Sequence, residues 1–155
     1  MAQLTYRIGD ATRPIGQGPK IIAHVCNDIG KWGRGFVLAL SGRWPEPRAR
    51  YLAWFGTTDF ALGNVQFVQV EPDLWVANLI GQHGIRRRAG DTPVRYPAIR
   101  AGLARVADFA SKQGASVHMP RIGAGLAGGD WGTIEPIVLE ELVAEGIDVT
   151  VYDLP

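Results

Sequence analysis

Two glycine-rich stretches carry the residues best suited to hold an anion. The first reads Asn27-Asp28-Ile29-Gly30-Lys31-Trp32-Gly33-Arg34-Gly35, and the second reads Arg121-Ile122-Gly123-Ala124-Gly125-Leu126-Ala127-Gly128-Gly129-Asp130-Trp131. Glycine permits φ > 0 and has no Cβ to keep a phosphate away, so such a loop can aim several free N–H groups at one anion. The second stretch is not a Walker A loop, since no Lys-Ser/Thr pair follows its glycines, and it lacks the GxGxxG spacing. Acid–base groups are few. Asp10 follows the first apolar segment, Asp130 closes the second loop, and His83 lies in a polar loop. An imidazole ordinarily titrates near neutral pH, which suits a base. His24 sits inside an apolar run and reads as a hydrogen-bonded core histidine.

These loops need strands and helices to aim them. Leu4–Ile8 alternates and is predicted to be a strand, closed by Gly9-Asp10. Residues 21–26 form a continuous apolar run of strand length, the pattern of a strand buried on both faces. Short helices are predicted over 36–41 and 47–54, and strands over 64–70 and 74–80, paired as a hairpin across Glu71-Pro72-Asp73. Residues 96–112 place Ile99, Leu103, Val106 and Ala110 on one helical face, with Gly114 as its stop. A strand over 116–120 leads into the second glycine loop. A last helix is predicted to start at an N-cap Thr133 with Pro136 in its first turn, and a final strand covers 148–153. This order implies one α/β domain over residues 1–155, a three-layer α/β/α sandwich with a mixed six-stranded sheet. Ligands on such sheets collect at the carboxyl ends of parallel strands, so the two glycine loops should form one cleft.

Composition narrows the function. The chain has 155 residues, 46% hydrophobic and 20% charged, with a formal net charge of +1. That balance argues for a folded domain with neither a broad nucleic-acid surface nor a membrane surface. The Arg86-Arg87-Arg88 cluster reads as a solvated loop, or as a phosphate contact if it lies near a site. One cysteine and three histidines supply no disulfide framework and no metal-ligand set. No apolar run spans a bilayer and no signal peptide is recognisable, which points to the cytoplasm.

Taken in order, Gly9-Asp10, Asn27-x-x-Gly30-x-Trp32-Gly33-x-Gly35, Met119-Pro120-Arg121-Ile122-Gly123-x-Gly125-Leu126, Trp131 and Thr150-Val151-Tyr152 resemble the macrodomain family of ADP-ribose-binding modules and ADP-ribosyl hydrolases. Two branches are nearest in look. One is the terminal ADP-ribose glycohydrolase type, which removes ADP-ribose from glutamate; the other is the ADP-ribose-1″-phosphate phosphatase. The resemblance implies ADP-ribose or mono-ADP-ribosylated proteins as partners and no cofactor. It implies that Asp10 accepts a hydrogen bond from the adenine amino group and that the N–H of Ala11 meets the same base. Gly33 and Gly35 would approach the diphosphate and distal ribose, with Phe36 closing over that ribose. Gly123, Ala124, Gly125 and Leu126 would supply N–H groups to the phosphates. A carboxylate introduced at Gly123 would then repel the diphosphate. Tyr152 would stack on adenine. Asn27 would bond a ribose hydroxyl. The bland alternatives are a turn aspartate at Asp10, core packing at Phe36 and Tyr152, and a turn-holding Asn27.

The pattern breaks at catalysis. The glutamate-specific branch is expected to use a lysine after Leu79-Ile80, where this chain has Gly81-Gln82. It is also expected to use an aspartate after Gly125-Leu126, where this chain has Ala127. Hydrolysis would then rest on a positioned water, with Gln82 or Asn27 orienting it and Asp130 or His83 as base. The alternatives are an ADP-ribose reader without catalysis and the 1″-phosphate phosphatase.

Overall fold

Side chains on β2 (Lys20–Asn27) alternate between two cores and so define the layers of the molecule. Ile21 and Ala23 join Leu79, Ile99, Leu103, Val117 and Ile134 on one face. Ile22 and Cys26 join Leu40, Tyr51, Trp54 and Ile80 on the other. Both faces are covered, which is why residues 21–26 read as unbroken apolar sequence. The computed structural model describes residues 1–86 and 89–155; Arg87 and Arg88 of the basic cluster lie outside the described residues.

The strands β1 (Leu4–Ile8), β2, β3 (Val65–Glu71), β4 (Leu74–Gln82), β5 (Ser116–Met119) and β6 (Val149–Asp153) form one sheet in the order β1-β6-β5-β2-β4-β3. Neighbours are parallel except the β3–β4 hairpin. The helices α1 (Phe36–Arg43) and α2 (Glu46–Trp54) bury Leu40, Tyr51 and Trp54 in the second core. On the opposite face α3 (Tyr96–Gln113) and α4 (Trp131–Glu141) contribute Ile99, Leu103, Val106 and Ile134 to the first. This is the α/β/α sandwich with a mixed six-stranded sheet expected from the sequence. Gly102 lets α3 press onto β4, because a Cβ there would stand 2.4 Å from the Leu79 side chain. Gly114 ends α3 at φ 64°, in the left-handed region.

Several boundaries move by one or two residues, and one of these shifts changes a side chain's role. The helix α4 begins two residues before Thr133, and its N-cap is Asp130, whose carboxylate accepts from the Gly132 N–H. Thr133 instead donates its hydroxyl to Asp130 Oδ2 at 3.0 Å. A carboxylate caps a helix N-terminus well and also meets its positive dipole end. Pro136 therefore lies inside the helix rather than in its first turn.

The β2–β4 pairing slips at its carboxyl end. Cys26 faces Ile80, but Asn27 faces Gln82, so Gly81 is skipped. Such an irregularity re-aims the residues beyond it, here Asn27 and Gln82.

Two histidines are sealed in the sheet. His24 Nε2 meets Asn78 Oδ1 at 2.6 Å, and His118 Nδ1 meets the Tyr152 hydroxyl at 2.7 Å. Desolvation holds both imidazoles down, from an ordinary 6.5 to about 4, and the nearby Lys20 charge pushes His118 the same way. The unfolded chain therefore takes up these protons first as pH falls. Their contribution to stability is complete above pH 6.5 and is lost progressively towards about pH 4. Urea melts across that window should show stability falling with pH, and His118→Asn should flatten the slope. An unchanged slope would contradict this assignment.

Candidate functional site

The carboxyl ends of β2, β4 and β5 converge on a cavity of about 290 Å³. One wall is residues 34–37 and the other is residues 120–123 with 125–127. His24, Val25 and Gln82 complete the lining.

The first wall is shaped from beneath by Asn27. Its Oδ1 accepts from the N–H groups of Ile29 at 3.1 Å and Lys31 at 3.2 Å, and its Nδ2 donates to the Lys31 carbonyl at 2.5 Å. The buried Tyr51 hydroxyl stands 2.7 Å from the Asn27 carbonyl and 2.9 Å from its Oδ1. Gly30 lies on the Phe55 ring, where a Cβ would come within 2.5 Å, so no larger residue fits. Gly35 caps α1 at φ 90°, ψ −133°, with no side-chain cap. The N–H groups of Phe36 and Val37, both lining the cavity, have no acceptor among the described residues. A helix N-terminus left open in this way attracts anions through its free donors and its dipole.

The second wall closes on itself. Gly129 donates to the Gly123 carbonyl at 2.8 Å and Gly128 to that of Gly125 at 3.0 Å. A Cβ on Gly129 would stand 2.4 Å from the Gly123 oxygen, so the closure requires glycine. The N–H groups of Gly123, Gly125 and Leu126 have no acceptor among the described residues. Among the described residues, two cations line the cavity. Arg34 belongs to the first wall, and Arg121 is held by both oxygens of Asp153 at 2.7 and 2.9 Å. The Arg121 guanidinium also lies over the rings of Tyr6 and Trp131, at 5.0 and 5.6 Å from their centroids. This pairing holds the Asp153 carboxyl below its usual range.

Of the residues selected from sequence, Gly35, Phe36, Gln82, Gly123, Gly125 and Leu126 line this cavity. Phe36 does two jobs, since it also packs against the second core. Gln82 donates Nε2 to the Gly84 carbonyl at 2.9 Å. Ala127 lines the cavity as well, so both positions where chemistry was expected lie in the cleft, as an amide and a methyl. Gly33, at φ 77°, precedes the first wall without joining the lining.

Others are placed differently. Asn27 is 5% exposed and its carboxamide is committed to the loop, so it is a shaping residue and not a catalytic one. Asp130 is a helix cap with both oxygens engaged, and it lies outside the cavity lining. Ala124 donates its N–H to the Arg121 carbonyl at 3.3 Å and faces away from the lining. Asp10, Ala11 and Tyr152 lie at the β1–β6 end of the same sheet edge. Asp10 Oδ1 accepts from the N–H and hydroxyl of Thr12, both at 2.8 Å, and its Oδ2 stands 3.9 Å from Arg13 Nε, which makes it a turn residue. Ala11 is buried. Tyr152 is 4% exposed and its hydroxyl accepts from the Ile15 N–H, so stacking on a base would need a ring face this packing covers. A Cβ at Gly123 would meet Ile99, Ile134 and Val94, so a side chain there would enter the core and not the cleft.

Arg121, Val37 and Asp28 were not singled out from sequence. The signal for Arg121 was its position one residue past the strand end at Met119-Pro120, where loops meet ligands.

Comparison with other proteins gives the family. No family model matches the chain. A macrodomain protein from Streptomyces coelicolor is 57% identical, covering 97% of this chain and 99% of that one, with a TM-score of 0.88. A protein of unknown function from Bacteroides thetaiotaomicron is 55% identical over 99% of both chains, with a TM-score of 0.96. The Thermosipho africanus DarTG solved in complex with ADP-ribose shares the fold at 19% identity, covering 87% of this chain and 38% of that one, with a TM-score of 0.69. Among curated proteins, chromodomain-helicase-DNA-binding protein 1-like of Mus musculus is 32% identical over 98% of this chain. The chain spans 18% of the mouse relative's length and 15% of its Danio rerio counterpart's. The fold is thus shared along nearly the whole chain. The protein belongs to the macrodomain family.

Two substitutions check the roles of the displaced candidates. Asn27→Ala removes the acceptor shared by the Ile29 and Lys31 N–H groups and a partner of the buried Tyr51 hydroxyl, and should cost about 1–3 kcal/mol. Asp130→Ala removes a cap and should cost about 1 kcal/mol. Chemical denaturation reads both; an Asn27→Ala protein as stable as the parent would contradict the shaping role.

Proposed function

We propose that this macrodomain binds ADP-ribose in the cleft and hydrolyses ADP-ribose ester-linked to acidic side chains of proteins. The observation that carries the binding reading is the pair of opposed donor sets. The N–H groups of Phe36 and Val37 on one wall and of Gly123, Gly125 and Leu126 on the other have no acceptor among the described residues, and Arg34 and Arg121 belong to the same lining. A diphosphate is a bridging anion of the kind such a site selects. The Asp10 carboxylate and the Ala11 N–H, after β1, would take the adenine edge. The ADP-ribose complex of the Thermosipho africanus protein supports the choice of ligand at the level of fold.

Hydrolysis is the finer part of the reading. A carboxylate is a good leaving group, so a water held near the anomeric carbon by Gln82 Oε1 needs modest help. A non-catalytic reader is the second reading, favoured by the amide at Gln82 and the methyl at Ala127.

Incubation with glutamate-linked and serine-linked mono-ADP-ribosylated proteins, and with ADP-ribose-1″-phosphate, separates these readings. Release from the glutamate linkage alone is expected. ADP-ribose binding without release from any substrate would make the domain a reader. Gly125→Glu tests the cleft, because a Cβ there meets open space, so the carboxylate can enter without disturbing the core. We expect a folded protein with no calorimetric ADP-ribose signal; retained affinity would contradict the site.

A further inference from the structure

The residues standing at the two expected catalytic positions, Gln82 and Ala127, offer no group that takes a proton near neutral pH. If the domain is a hydrolase, as read above, the base comes from elsewhere. One residue past Gln82 a second cavity of about 460 Å³ begins, its lining including Lys31, His83, Gly84, Arg86 and Asp91. It shares its loops with the first cavity: Lys31 precedes the wall at Arg34, and His83 follows Gln82.

His83 is not a loose loop residue. Its Nδ1 stands 2.7 Å from Asp28 Oδ2. The other carboxylate oxygen of Asp28 accepts from the Gly84 N–H at 2.8 Å, and the Asp28 N–H donates to the Gln82 carbonyl at 3.1 Å. Asp28 is thereby fixed between the loops after β2 and β4, with its side chain 18% exposed. The imidazole is 63% exposed, and its Nε2 has no partner among the described residues. A carboxylate on Nδ1 sets the tautomer that leaves Nε2 free to accept a proton, and it stabilises the imidazolium that results. Among the described residues the other charged groups of this cavity are Lys31, Arg86 and Asp91, and Asp91 is paired with Arg95 at 3.2 Å.

We propose that His83, oriented by Asp28, is the general base of the hydrolysis, and that the second cavity receives the acidic side chain that leaves. Nε2 takes a proton from water as the water oxygen bonds to the anomeric carbon of the distal ribose. The bond from that carbon to the ester oxygen breaks, and its electron pair departs as the side-chain carboxylate. The imidazolium then returns its proton to solvent, leaving ADP-ribose, a free carboxylate and one proton. Lys31 and Arg86 place positive charge where the carboxylate departs.

The test measures kcat and KM on a glutamate-linked mono-ADP-ribosylated peptide, with ADP-ribose affinity by calorimetry alongside. His83→Ala should lower kcat by roughly 10²–10⁴-fold, with KM and ADP-ribose affinity unchanged. Free imidazole should restore part of its turnover, which a structural role would not allow. Asp28→Asn keeps an acceptor for the Gly84 N–H and should lower kcat in the same direction. An unchanged kcat in His83→Ala overturns the proposal while leaving the hydrolase reading intact. A fall in affinity that matches the fall in rate also overturns it, by making His83 a binding residue. No release by the unaltered protein overturns both.

Discussion

The cleft depends on one buried carboxamide. Asn27 is the last residue of the central strand, and its side chain gathers the N–H groups of Ile29 and Lys31 and the carbonyl of Lys31 into one turn. A buried carboxamide left without partners is costly, so this side chain favours the loop path that satisfies it. Beyond the turn Gly35 adopts φ 90°, a conformation open to glycine, and the N-terminus of α1 has no side-chain cap. Tyr51 locks the same carboxamide from α2, so the first wall is tied to the core beneath it.

The slipped pairing at Gly81 links this wall to the second strand of the site. It sets Asn27 opposite Gln82, and the Asp28 N–H then reaches the Gln82 carbonyl. From there Asp28 spans to Gly84 and His83. Binding groups and the proposed proton acceptor thus lie on either side of a single strand end. Backbone donors without a described acceptor lie on one side, and an imidazole held by Asp28 lies on the other. A site in which an amide and a methyl occupy the expected catalytic positions can still hold a base, because the neighbouring loop supplies one.

Much of this fold is legible in the sequence. Burial on both faces wrote residues 21–26 as an apolar run, and the Ile99–Ala110 stripe marked α3. The glycines announced both walls of the cleft, since Gly30 and Gly129 are sites where a Cβ would strike a ring or a carbonyl. Side-chain roles were harder to read. Asn27 and Asp130 carry groups that can do chemistry or hold backbone, and only the positions of nearby N–H groups decide which. The same holds for Tyr152, where the choice between base stacking and core packing turns on a hydrogen bond to His118, 34 positions away. Arg121 opens the second glycine stretch, but its role stayed unassigned because it lies in Asp153, Tyr6 and Trp131, which the chain brings together only on folding.

Amide chemical shifts recorded during titration with ADP-ribose test the cleft most directly. We expect the largest shifts at Phe36, Val37, Gly125 and Leu126, whose N–H groups have no described protein acceptor, and smaller ones at Ile29 and Lys31, which Asn27 already holds. An absence of shifts at saturating ligand, or shifts confined to another face of the sheet, would contradict the cleft as the binding site.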